Sequence, residues 1–121
     1  MSKTLIERIK AARQTRVSSH GKTFIVSRPT DLDMIDLRAK EVKQGDLITR
    51  FVTGWDGFTE LDLVSSGGPD PVAFDAALFA EYIADRPEHW DAIVNSVIDG
   101  YKAHQEAVED SLKNSVPGST S

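Results

Sequence analysis

"RVSSHGKTFIVSRP", residues 16–29, decides the fold. Val17 on one side of His20-Gly21, and Phe24 and Val26 on the other, sit among polar neighbours, the pattern of a β-hairpin in an otherwise helical chain. Gly21 supplies the positive φ that a tight turn demands, and Pro29 ends the second strand because it has no N–H to donate. His20 therefore reads as a turn residue and not as a catalytic base.

Upstream, Thr4 and Glu7 fit a capping pair, and Leu5, Ile6, Ile9 and Ala12 recur on one helical face. A helix of about ten residues is marginal alone, so this one has to dock on the body or on a partner. Downstream, Thr30 and Asp33 form a second capping box ahead of an imperfect stripe of Leu32, Ile35, Leu37 and Val42, with Gly45 as the stop. Leu47, Ile48, Phe51 and Val52 then suggest another short helix, ended by Gly54. In "TGWDGF", residues 53–58, Trp55 and Phe58 are expected to pack back on that helix's last turn across Asp56-Gly57. "TELDLV" (59–64) reads as a short extended segment, and "SSGGPDP" (65–71) as a loop dividing a basic front, 1–64, from an acidic helical back, 72–114.

The back opens with Asp75 as a cap for a helix carrying Leu78, Phe79, Tyr82 and Ile83. Pro87 breaks it, and Asp85 is placed to cap a new helix whose stripe is Trp90, Ile93, Val94, Val97, Ile98, Tyr101, Val108 and Leu112. From Pro87 to Asn114 that helix spans about 42 Å. Gly100 inside it weakens it by about 1 kcal/mol relative to Ala and permits a bend. Past Gly100 the stripe thins, so the last turns are expected to project into water unless another chain covers them. Residues 115–121 read as a disordered tail. The predicted fold is α+β, mostly helical, in one domain over 1–114 with an N-terminal β-hairpin and a long C-terminal helix.

Charge and composition narrow the function. Residues 1–50 hold 11 of the 14 Lys and Arg but 6 of the 19 acids, so the front carries +5 and the rest −10. Opposite halves of this kind favour self-association, while the acidic body repels nucleic acid. With no cysteine there is no disulfide or thiolate site, which suits a reducing cytoplasm. No apolar run reaches the ~18 residues of a membrane span, and "MSKTLIERIKAARQTR" lacks the apolar core of a secretory signal.

Phosphate-loop, dinucleotide, zinc-protease and nucleophile-elbow patterns are all missing. "DLDMIDL" fails as a calcium loop, because Ile35 takes a ligand position and Asp36 stands where Gly is required. His89 and His104, more than about 20 Å apart along one helix, cannot share a metal, and all three histidines read as surface residues. No enzyme, cofactor or metal site is expected.

The order "SRPT", a helix, "GWDGF", a Gly-Pro loop, "VAFDAALFAEYIADRPEHWDAI" and a charged last helix ending in "LKN" resembles the tail assembly chaperones of long-tailed phages and prophages. The likeness covers about residues 22–114 and is anchored by Trp55, Phe74, Pro87, Trp90 and Tyr101. It implies a non-enzymatic factor of the infected host's cytoplasm, absent from the finished virion. Such a factor binds the tape measure protein and helps recruit major tail tube subunits. A structural tail or neck component retained in the virion is the alternative.

A holdase needs apolar surface that exchanges partners. The stripe offers Leu78, Tyr82, Trp90, Ile93, Val97 and Tyr101 as contacts, although each also suits an ordinary core. Gly54, Trp55, Phe58, Phe74 and Pro87 are expected to be structural anchors.

Overall fold

His20 at φ 46° and Gly21 at φ 79° both lie in the left-handed region, as a two-residue turn compatible with strand twist requires. They join β1 (Gln14–Ser19) to β2 (Lys22–Ser27) in the computed structural model, which describes residues 4–115. The register sets Val17 opposite Phe24 and Ser19 opposite Lys22. A third strand, β3 (Val52–Asp56), pairs antiparallel with the other side of β2, giving the order β1-β2-β3. Ile25 faces Gly54 but Val26 faces Val52, so Thr53 is the extra residue of a bulge. That bulge brings both Val52 and Trp55 onto the inner face.

Around the sheet run α1 (Leu5–Ala11), α2 (Asp31–Arg38), α3 (Gln44–Phe51), α4 (Glu60–Leu63), α5 (Ala76–Ala84), a 3-10 turn at Pro87–His89, and α6 (Trp90–Ser115). The expected α+β, mostly helical fold with a long C-terminal helix holds. Phe24 and Val26 of β2 are sealed beneath Phe79 and Ile83 of α5 and Ile93 and Val97 of α6, with Ile48 and Phe51 of α3 closing the same core. Rings make up much of it: Phe24 meets Phe58 at 5.6 Å and Phe79 at 5.9 Å. Within the front, Arg16 of β1 pairs with Asp56 of β3 at 2.6 Å, and Lys22 of β2 pairs with Asp62 of α4.

Several local expectations change. Helix α3 begins at Gln44, so Gly45 lies inside it and stops nothing; α2 has already ended at Arg38. Gly54 does not end a helix but sits mid-strand, where an added Cβ would come within 3.1 Å of Ile25 Cγ1. Trp55 consequently anchors the sheet: it stacks on Phe58 at 4.4 Å, meets Phe74 edge-on at 5.3 Å, and donates Nε1–H to the Val72 carbonyl at 2.9 Å. "TELDLV" is helical at 60–63 because the Asp62 carboxylate turns back to accept from the Thr59 N–H at 2.8 Å.

Asp85 caps no helix. The chain first makes the 3-10 turn, and α6 starts at Trp90, whose Nε1–H donates to the Ile83 carbonyl at 2.8 Å. Gly100 lets α6 lie close to the strand end, since a Cβ there would stand 3.1 Å from Arg28 Cβ. Of the expected tail, Ser115 is the last helical residue and 116–121 lie outside the described residues. Among the described residues no helix is long and apolar enough to cross a membrane.

Candidate functional site

Pro29, buried where β2 ends, turns the chain outward into α2. There the Thr30 and Asp33 side chains cap reciprocally, with Asp33 accepting from the Thr30 N–H at 2.8 Å and Thr30 Oγ1 accepting from the Asp33 N–H at 3.1 Å. This start angle buries Leu37, half-buries Met34, and leaves Leu32 and Ile35 in water. Helix α3 is clamped to α2 by Arg50, whose two terminal nitrogens reach Asp33 at 2.8 Å and Asp36 at 2.9 Å. The Asp36 carboxyl is held below its ordinary range by that guanidinium and by Lys40.

Helix α6 then passes alongside, tied near its middle to the start of α2. Tyr101 donates its hydroxyl to Asp31 at 2.8 Å, and His104 Nε2 lies 3.2 Å from the other carboxylate oxygen. The hydrogen bond from Tyr101, reinforced by His104, lowers the Asp31 pKa, and the same bond raises that of the phenol.

Between these three helices lies an open groove of about 410 Å³. Its floor is Pro29, Leu37, Leu47 and Val97; Met34, Val42 and Ile98 line its sides; Arg38, Lys102 and Gln105 stand at its edge. Val42 is 37% exposed and Ile98 41%, so large aliphatic carbons face water beside a cationic rim. The surface can bind an apolar ridge by burial and orient it by charge.

The six expected contact residues do not form one surface. Ile93 (0% exposed) and Val97 (2%) are core, because α6 turns that side of its stripe onto β2. Trp90 is half-buried by its bond to Ile83, and Tyr82 is held by His89. Leu78 is exposed on α5, on a different depression beside α4. Only Val97 and Tyr101 of the six border the groove. Sequence reasoning does not single out Arg38, Ile98 and Lys102 as groove residues, although Val42, Leu47 and Ile98 all belong to its apolar stripes.

The other polar cluster is internal. His89 is 1% exposed, against the surface position expected for it. Its Nδ1 lies 2.9 Å from Ser19 Oγ and its Nε2 3.2 Å from the Tyr82 hydroxyl, while Phe24 packs against the ring at 5.1 Å. Burial lowers its pKa, with the nearby His20, Arg86 and Lys22 acting in the same direction and Glu88 against them. A Ser-His contact sealed in this way braces β1 to the 3-10 turn and α5. Among the described residues no three His, Asp or Glu side chains are grouped to hold a metal. No family model, curated protein or solved structure matches the chain.

Proposed function

We propose that this chain is a non-catalytic tail assembly chaperone of a long-tailed phage or prophage. It holds helical segments of the tape measure protein in the α2/α3/α6 groove until major tail tube subunits assemble around them. It acts in the host cytoplasm and is left out of the finished virion. The observation that carries this reading is the apolar groove with Val42 and Ile98 on its sides and Arg38 and Lys102 at its edge. An amphipathic helix can lay its apolar side there, and acids flanking that side would meet the two cations. Because the groove is open to solvent, a client helix can leave by the way it entered, as a chaperone requires.

The test is coexpression with the tape measure protein. The wild-type chain should raise the client's soluble fraction, and Val42→Asp with Ile98→Asp should abolish the gain while circular dichroism stays native. A client equally insoluble with the wild-type chain, or equally soluble with the variant, overturns the proposal. Mass spectrometry of purified virions separates a second role: stoichiometric peptides from this chain would make it a retained tail or neck component.

A further inference from the structure

We infer that the chain self-associates by docking helix α1 of one copy in the open depression between α4 and α5 of a second copy. Helix α1 buries none of its seven residues; Leu5, Ile6 and Ile9 are 68%, 66% and 47% exposed. So short a helix is not stable on propensity alone, and an apolar face this open calls for a cover. At about 100° per residue the three aliphatic side chains share one face, with Arg8 and Lys10 on its two flanks and Glu7 behind.

The depression, of about 420 Å³, has the complementary make-up. Leu63, Val64, Val72 and Leu78 line it, with Val64 55% and Leu78 42% exposed, and Glu60 stands in its wall. On α5, Glu81 lies one turn after Leu78 and Asp75 one turn before it, both exposed, with the Asp75 carboxylate accepting from the Leu78 N–H at 3.1 Å. From Phe51 to Asp85 the sequence has no Lys, Arg or His, and Lys22, which reaches this region from β2, is paired with Asp62. An apolar face with basic flanks thus fits an apolar hollow with acidic surroundings. The α2/α3/α6 groove is the poorer seat, because Arg38 and Lys102 stand at its edge.

The sheet keeps the two patches apart within one molecule. Gln14, where β1 leaves α1, pairs with Ser27 at the end of the sheet where β3 begins. Helix α4 follows Asp56, which pairs with Thr23 at the other end, about 17 Å away. Strands β1 and β3 are also opposite edges of the sheet. With only Ala12 and Arg13 between α1 and β1, the helix cannot cross to its own α4, so the cover comes from a second copy. Two unlike patches make a heterologous contact, which passes from copy to copy unless it closes a ring. The contact area of so short a helix belongs to the small, transient class, under about 1,200 Å². This inference does not depend on the chaperone reading.

Sedimentation velocity of the full chain over a concentration series tests it. The wild type should shift reversibly from monomer to larger species, and less so at about 1 M salt, where the screening length falls to about 3 Å. Leu5→Asp with Ile6→Asp should sediment as monomer, as should Val64→Lys with Leu78→Lys. Mixing these two variants should restore a species that stops at the dimer, since each retains one working patch. Arg8→Glu with Lys10→Glu should weaken association, and adding Glu60→Lys and Glu81→Lys to the same chain should restore it. All changed side chains are exposed, and circular dichroism checks the fold. Association that survives either apolar variant pair overturns the inference, as does a mixture that stays monomeric. So does a wild type that is monomeric at every concentration; amide exchange in α1 that then slows on adding anionic vesicles or the tape measure protein would give its apolar face to that partner instead.

Discussion

Ile93 and Ile98 lie five residues apart on α6, one at 0% and the other at 41% exposure, and truncating each to Ala tests the division between core and groove. Ile→Ala removes three carbons, so a fully buried site loses about 2.4 kcal/mol of transfer free energy at about 0.8 per carbon. Beneath Phe24 and Val26 the hole at Ile93 is enclosed, and the cavity contribution raises the loss to about 3–5 kcal/mol. At Ile98 roughly three-fifths of the transfer value applies, about 1.4 kcal/mol, and the open groove leaves no sealed hole.

Urea unfolding followed by tryptophan fluorescence reads both. With a slope of about 2 kcal/mol per molar, the midpoint should fall by about 1.5–2.5 M for Ile93→Ala and about 0.7 M for Ile98→Ala. Equal losses would mean that Ile98 is core and the groove is not an available surface. A loss under about 1 kcal/mol at Ile93 would refute the packing of α6 on the sheet.

Gly67→Ala should lower the thermal midpoint, because its Cβ would lie 2.4 Å from the Glu60 carbonyl carbon and force the 65–71 loop off α4; strain of this kind amounts to about 1–3 kcal/mol, and an unchanged melt would refute the contact. Burial holds the His89 pKa below its ordinary value, so the unfolded chain binds more protons in this range. Stability is therefore full above about pH 6.5 and declines as pH falls from there toward the native pKa, a slope that His89→Gln should remove from urea midpoints taken between pH 7.5 and 5.5. The lowered carboxyls of Asp31, Asp36 and Asp62, held by Tyr101, Arg50 and Lys22 respectively, add their own loss only near and below about pH 4. Asp31→Asn should let the Tyr101 phenol titrate nearer its ordinary value and speed amide exchange in α6 past His104; an unchanged tyrosinate titration would refute the tether.

The hairpin was legible because its turn and alternation are local: His20-Gly21 requires nothing from the rest of the chain. Strand β3 was not, since its five residues include Gly54 and derive their strand character from β2, some thirty positions earlier in sequence. Leu47, Ile48, Phe51 and Val52 give a true helical signal that runs one residue beyond α3, but the extended Val52 backbone makes the stop, and not Gly54. Thr59 and Asp62 repeat the spacing recognised at Thr30 and Asp33, so α4 was open to the same rule. For the site the difficulty is of another kind. A helical stripe announces apolar faces without saying which flank meets the sheet, so Ile93 and Val97 were indistinguishable from Ile98. His89 could be assigned to the interior only once Ser19 and Tyr82 were seen to satisfy both its nitrogens.

The inner face of β2 also sets a timetable for synthesis. Phe24 meets Phe79 and His89, and Ser19 meets His89, pairings that join residues up to 70 positions apart. At about 5–20 residues per second, the ribosome takes roughly 4–14 seconds to add that length, and the newly made sheet has no lid in the meantime. A nascent chain stalled before α5 should consequently recruit general folding helpers, whereas one released after α6 has emerged should not.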